Sequence, residues 1–207
     1  KALLESNKML ERFPNSVILF NILGASNSGL RQFDAAIKCY KKAVKIKPDY
    51  YEAHYNLGVA FQDKNNFIEA IDSYEKVLQI RPEHFVAYNN IGIAKQNLGY
   101  IKAAIDSYEK AIKLNPEYPD AYNNIANAQQ ELGDLDSALD NYSKAIKINP
   151  DYAEAKSNII KLLTKYSPAK KNLNKLVEVN EKIRKINVLN GNSNFEFIKG
   201  DVLNDDL

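Results

Sequence analysis

Tryptophan is absent from these 207 residues, cysteine and methionine occur once each, and histidine occurs twice. A lone Cys39 excludes an intrachain disulfide framework and fits a reducing compartment, and it reads as a small buried apolar residue. Long apolar runs are missing too. Val17 to Phe20 is the longest near the front, far too short for a membrane span or a signal core. Charge of one sign is lacking as well: 28 Lys and Arg stand against 26 Asp and Glu, a formal +2, with no strong pull toward nucleic acid or anionic lipid. Chemical motifs are equally scarce. There is no Gly-x4-Gly-Lys-Ser/Thr phosphate loop, no His-Glu-x2-His, no cysteine pair at zinc spacing and no Gly-x-Ser-x-Gly elbow. The expectation is a cytoplasmic, non-catalytic chain that needs no cofactor or metal and has no nucleic-acid or membrane partner.

What is present is a period. Pro14, Pro48, Pro82, Pro116 and Pro150 stand 34 residues apart, and a fixed interval of that length marks stacked supersecondary units. Each unit has an apolar face that only a neighbouring unit can cover. The other columns keep the same register. Phe20-x2-Leu23-Gly24 is followed by Ala36-x3-Tyr40-x2-Ala43, and His54-x2-Leu57-Gly58-x2-Phe61 by Ala70-x3-Tyr74-x2-Val77. Tyr88-x2-Ile91-Gly92 leads to Ala104-x3-Tyr108-x2-Ala111, and Tyr122-x2-Ile125-Ala126 to Ala138-x3-Tyr142-x2-Ala145. Spacings of three and four put each set on one helical face, so two amphipathic helices per unit follow. A small residue at 24, 58, 92 and 126 lets helix backbones approach, and the tyrosine of the second helix fills the adjoining space. Gly99, Gly133 and Asn65 fall between the helices of their units, where a residue tolerant of positive φ ends the first helix. Each column proline closes a second helix, and Asp49, Glu83, Glu117 or Asp151 follows it near the next helix's positive end.

This pattern resembles the tetratricopeptide repeat, aromatic-x2-Leu-Gly-x2-Tyr, then Ala-x3-Phe, then Pro, over roughly residues 1–165. The resemblance implies an all-α fold, a right-handed solenoid of helix-turn-helix repeats. The divisions are a partial repeat at 1–16 with a second helix only, full repeats at 17–50, 51–84, 85–118 and 119–152, a capping helix at 153–166, and a C-terminal helix and tail at 167–207. In the first segment Ala2 and Met9 occupy the alanine columns and Ser6 the tyrosine column. The chain thus opens inside a repeat and is expected to be a fragment whose uncovered N-terminal edge can stack on a second copy. Ile160 takes the small-residue column of the capping helix. Beyond Ser167-Pro168, Asn172 to Ile186 has helical spacing, and Phe195 to Ile198 alternates like a strand. That tail resembles junctions to appended oxygenase or sulfotransferase domains.

Some residue types recur without belonging to the core. His54 sits in an aromatic column and His84 in an inter-repeat turn, and both read as structural. Asp205-Asp206 reads as a solvated tail. Tyr50, Tyr118 and Tyr152 follow the prolines by two residues and are expected to wedge between units with the hydroxyl at the surface. Lys76, Lys110 and Lys144 follow Asp72, Asp106 and Asp140 by four residues, as helix-surface ion pairs do.

Asparagine carries the candidate site. Asn56, Asn90, Asn124 and Asn158 hold one column, with Ile22 in the first unit, and Asn21, Asn89 and Asn123 precede it by one. Each mid-helix Asn costs up to about 0.7 kcal/mol relative to Ala, so repeated use wants a reason. One reading is an amide that bonds a neighbouring turn. The other follows from the resemblance: in the family the first helices line the concave side, and an asparagine ladder there, as in the O-linked N-acetylglucosamine transferase array, grips the backbone of an extended peptide. An amide offers donor and acceptor together. With Tyr55, Ile93 and Asn127 these residues are the expected peptide-binding groove. Ile18, Ile22, Val59 and Ile93 make its early part apolar, and Asn127, Gln130, Glu131 and Glu154 make its later part amide-rich and acidic. The Lys and Arg clamp by which some family members hold a chaperone's terminal carboxylates is missing, since Asn21, Ala25, Asn56, Val86 and Asn90 stand at those places. The function expected is a protein-interaction scaffold for an extended peptide or partner protein. The alternative is the substrate-recognition arm of a larger multidomain enzyme of glycosyltransferase, oxygenase or sulfotransferase type.

Overall fold

A computed structural model describes residues 8–166, with side chains described as far as 162. The expectations for residues 1–7, the helix at 172–186, the strand-like segment at 195–198 and the terminal aspartates lie outside the described residues. Residues 8–12 are helical. Among the described residues nine further helices follow: α1 (Val17–Gly29), α2 (Phe33–Ile46), α3 (Tyr51–Asp63), α4 (Phe67–Ile80), α5 (Phe85–Asn97), α6 (Ile101–Leu114), α7 (Pro119–Glu131), α8 (Leu135–Ile148) and α9 (Ala153–Tyr166). They pack in sequence as antiparallel hairpins, α1 on α2, α3 on α4, α5 on α6 and α7 on α8, and the hairpins stack into a right-handed α-solenoid.

The periodic columns are the core. Tyr74, Tyr108 and Tyr142 are fully buried, as are Ala70, Ala104 and Ala138 one turn earlier. Apolar contact runs across units as well as within them: Ala36, Ile37 and Tyr40 of α2 join Leu57 and Phe61 of α3, Tyr74 and Val77 of α4, and Ala87 and Ile91 of α5 in one cluster. At the other end Tyr142 and Ile146 of α8 pack with Ala155, Ile159 and Leu162 of α9. Ile160 is 52% exposed.

The small-opposite-large expectation has a direct geometric form. A Cβ added at Gly58 would stand 2.6 Å from Tyr74 Cε1, and one added at Gly24 or Gly92 would press into Tyr40 or Tyr108 in the same way. In the fourth unit Ala126 already fills that place and is fully buried. The tyrosine hydroxyls have a column of their own to meet. Tyr74 donates to Gln62 Oε1 at 3.2 Å, Tyr108 to Gln96 Oε1 at 2.8 Å and Tyr142 to Gln130 Oε1 at 3.2 Å. Ser28 stands against Tyr40 in the first unit. A buried phenol thus keeps its hydrogen bond, which its burial requires.

Turns follow the period with one surprise. Asn65, Gly99 and Gly133 have positive φ, and so does Arg31, at 59°, in the same column. The chain geometry demands a left-handed residue there even where the side chain is a poor one for it. Between repeats Asn115 and Asn149 each accept a backbone N–H two residues on, at 3.2 and 3.1 Å, and Pro119 begins α7. Ser16, His84 and Asp134 cap α1, α5 and α8 by accepting the N–H of Leu19, Ala87 and Ser137.

Two expectations about side chains are corrected. The Asp–Lys pairs four residues apart do not close. Instead Lys42, Lys110 and Lys144 lie 5.2, 5.8 and 5.9 Å from the rings of Phe20, Tyr88 and Tyr122, the aromatic column of the preceding helix. Where His54 interrupts that column, Lys76 donates to Gln79 Oε1 instead. An exposed ion pair contributes only about 0.2–1 kcal/mol, so an ammonium over a ring face, at about 0.5–1 kcal/mol, competes with it. Cys39 is half-buried rather than buried, with burial pushing its thiol up and Lys42 and Lys38 opposing.

Candidate functional site

The first helices of the units, α1, α3, α5, α7 and α9, stand side by side and present the asparagine column as a series of hydrogen bonds donated by side-chain amides. Asn56 Nδ2 donates to Asn21 Oδ1 at 3.0 Å, Asn90 Nδ2 to Tyr55 OH at 3.3 Å, Asn124 Nδ2 to Asn89 Oδ1 at 2.9 Å, and Asn158 Nδ2 to Asn123 Oδ1 at 3.3 Å. Every one of these bonds reaches back 35 residues, one repeat plus one position. The amide therefore ties one first helix to the previous first helix, not to a turn. The extra residue in that interval explains why asparagine occurs in adjacent columns: one column donates and the other accepts.

The two columns differ in access. Asn89 and Asn123 are 3% and 1% exposed, so they are acceptors inside the scaffold and present no surface to a ligand. Asn21, Tyr55, Asn56, Asn90, Asn124, Asn127, Asn158 and Ile93 are half-buried. Asn127 accepts from Tyr142 OH at 2.5 Å and from Asn158 Nδ2 at 3.1 Å, which occupies its carbonyl. No partner among the described residues takes Oδ1 of Asn56, Asn90 or Asn124, and no buried polar side-chain atom lacks a hydrogen bond. These three carbonyls are thus oriented by the ladder and open to solvent. Ile18 and Ile22 continue the face at the α1 end, 64% and 43% exposed.

Aromatic residues brace the joints behind this face. Phe85 meets Tyr118 edge-on with ring centroids 5.0 Å apart, and Tyr152 OH donates to Asp120 Oδ1 at 2.7 Å. Tyr50 OH accepts from Asn21 Nδ2 at 3.5 Å. Tyr50 and Tyr152 therefore spend their hydroxyls on neighbours, while Tyr118 packs through its ring. Burial pushes the Tyr118 phenol up to about 12, with the Asp120 carboxylate adding to it, and burial with Glu154 does the same for Tyr142, also to about 12. His84 takes the place of a wedge tyrosine. Its ring packs 5.4 Å from Tyr55 and 5.9 Å from Tyr51, and Nδ1 accepts Ala87 N–H at 3.1 Å. Burial lowers its pKa, Arg81 adding to the effect while its own backbone and Glu83 oppose it.

Sequence reasoning located the asparagine column but missed the offset of 35, the Gln62, Gln96 and Gln130 partners of the tyrosines, and the cap role of His84. The offset was visible as paired Asn columns. The glutamine column was visible as a 34-residue recurrence. Among the described residues no group of three His, Cys, Asp or Glu could hold a metal ion, and no helix is long and apolar enough to cross a membrane.

Stacked helical hairpins joined through shared columns define a helical-repeat scaffold. The chain belongs to the tetratricopeptide repeat family: profiles for the TPR repeat match residues 31–65 and 97–133, and those for the tetratricopeptide repeat match 51–84 and 119–152, together more than half of the chain. Such repeats are protein-interaction scaffolds. Peroxisomal targeting signal receptors of Candida albicans and Kluyveromyces lactis are 43% identical over 47 residues and 39% identical over 51, which is 23% and 25% of this chain but 8% and 9% of theirs. The chain thus spans less than a tenth of the length of the curated relatives it matches. Among solved structures, crystal structures of MamA are 28% and 26% identical, each at TM-score 0.68, covering 73% and 88% of this chain and 89% and 97% of theirs. YrrB, a TPR protein with an unusual peptide-binding site, shares the fold at TM-score 0.64 and 23% identity, over 87% of this chain and 91% of that one.

Proposed function

We propose that the protein is a non-catalytic scaffold that holds an extended peptide, or an extended segment of a partner protein, along the face formed by its first helices. The observation that carries this is the asparagine ladder. Each amide donates one N–H to the previous helix, which fixes its orientation, and Oδ1 of Asn56, Asn90 and Asn124 stays free to accept a peptide N–H. Pre-oriented amides cost less entropy on binding than mobile ones. Asn21 and Tyr55 hold the ladder's start, Asn89 and Asn123 position the amides in front of them, Asn127 and Asn158 close its far end, and Ile93 supplies apolar contact between rungs.

Peptide-array binding followed by Asn90→Ala and Asn124→Ala together tests this. Affinity for the best array peptide is expected to fall by roughly 5- to 30-fold, the loss of one to two hydrogen bonds of about 1 kcal/mol each. Helicity should be retained. Unchanged affinity would contradict the groove. The non-repeat residues 167–207 favour a second reading, a recognition arm of a larger enzyme. The same groove would then deliver the peptide to a neighbouring catalytic domain, and the parent reading frame beyond both ends separates the two.

A further inference from the structure

On each first helix, residues at intervals of four, seven and eleven from the first turn share the face that bears the ladder. That stripe reads Ile18, Ile22, Ala25 and Gly29 in α1; Glu52, Asn56, Val59 and Asp63 in α3; Val86, Asn90, Ile93 and Asn97 in α5; and Asp120, Asn124, Asn127 and Glu131 in α7. Neutral rungs alternate with rungs that carry a carboxylate at both rims, and Glu154 repeats the first of these in α9 ahead of exposed Lys161. Across α1, α3, α5 and α7 the single basic residue is Lys95, and its ammonium turns to Ser107 Oγ of α6 at 3.1 Å. The near-neutral total of the chain conceals a division, because the lysines concentrate on the second helices, where Lys41, Lys42, Lys110 and Lys144 sit on aromatic rings.

Three carboxylates of the stripe are held but not neutralised. Asp120 accepts from Tyr152 OH, Glu131 from the Gln96 amide, and Glu154 from Asn123 Nδ2 at 3.1 Å, all uncharged donors. None of Glu52, Asp63, Asp120, Glu131 and Glu154 forms an ion pair with a described residue, whereas Lys64 at the neighbouring turn is tied to Asp34. Their field is felt locally, since burial first and these carboxylates second push up the phenols of Tyr108, Tyr118, Tyr142 and Tyr152. Resting on the groove reading above, we propose that the groove selects a basic extended peptide, with Lys or Arg set between apolar residues so that cations meet the acidic rims of α3 and α7 while apolar side chains meet Ile18, Ile22, Val59 and Ile93. A wall of one sign attracts such a peptide and repels an acidic one.

Fluorescence anisotropy on the full chain with three peptides of equal length tests this, the apolar residues shared and the intervening residues all Lys, all Gln or all Glu. The Lys peptide is expected to bind roughly tenfold or more tighter than the Gln peptide at about 0.05 M salt, with the gap shrinking at about 0.5 M, and the Glu peptide weakest. The double variant Asp120→Asn with Glu131→Gln keeps an acceptor oxygen for Tyr152 and Gln96, and should narrow the Lys-over-Gln preference, with the Lys peptide losing more affinity than the Gln peptide. Equal binding of Lys and Gln peptides, or an equal loss of both in the double variant, would overturn the charge assignment while the groove reading stood. Binding of none, together with a blank array, would overturn both.

Discussion

The two helices of each unit spend their special residues differently. The second helices bury tyrosine and alanine at every turn of the period and carry the lysines on their outer side. The first helices keep a small residue against that tyrosine and set asparagines and carboxylates on the opposite face. A second-helix column residue touches both its own first helix and the next unit, so damage there spreads. A ladder asparagine touches one neighbour and leaves a carbonyl to solvent. Stability should therefore concentrate in one set of columns and recognition in the other.

The largest break in that division is Tyr108→Ala. It empties a fully buried ring site between α5, α6 and α7, and denaturant unfolding should show a loss of about 3–5 kcal/mol, near that of other aromatic truncations. Gly92→Ala places a methyl inside the Tyr108 ring envelope and should cost about 1–3 kcal/mol. Asn124→Ala should move stability less, by about 1 kcal/mol, because a lost hydrogen bond and the buried Asn89 acceptor it strands are partly offset by better helix propensity. If Asn124→Ala proved as damaging as Tyr108→Ala, the ladder would be core and the division false.

His84 sharpens the comparison through pH. Its folded pKa lies below the ordinary histidine value, so the stability it contributes is full above that ordinary value and is lost as pH falls through the lowered one. Protonation takes away the acceptor at Nδ1 that caps α5 through Ala87. Thermal midpoints from pH 7.5 downward should therefore fall more steeply for the native chain than for His84→Tyr, which installs the residue that Tyr50, Tyr118 and Tyr152 supply at this place. Parallel curves would remove His84 from the account. The smallest effect belongs to Arg31→Gly, which relieves a left-handed conformation and should gain up to about 1 kcal/mol after the added chain entropy of glycine is charged against it.

Much of the scaffold was legible because its causes repeat. Pro48, Gly58 and Tyr74 each answer a constraint that returns every 34 residues, so alignment of the chain with itself exposed the helices, the turns and the tight contact of Gly58 with Tyr74. Arg31 escaped because its side chain gives no hint of a left-handed backbone, and only the column of Asn65, Gly99 and Gly133 betrays it. The lysines misled in a different way. Asp72 and Lys76 are neighbours on one helix, but the aromatic that attracts the equivalent Lys110 belongs to another helix, and same-helix spacing cannot reveal that contact. For the site, spacing located the asparagines, whereas the bond from Asn124 back to Asn89 depends on how adjacent first helices lie together. That is a tertiary fact, and with it came the separation of buried acceptors from accessible donors.

The most direct test is a titration of the isotope-labelled chain with a groove-binding peptide, following side-chain amide resonances by NMR. The Asn56, Asn90 and Asn124 side-chain signals are expected to shift progressively with peptide, while Asn141 on α8, held by Gln129 Oε1 at 2.9 Å, stays in place. Shifts confined to second-helix residues, with the three ladder amides unmoved, would contradict the claim that the first-helix face holds the partner.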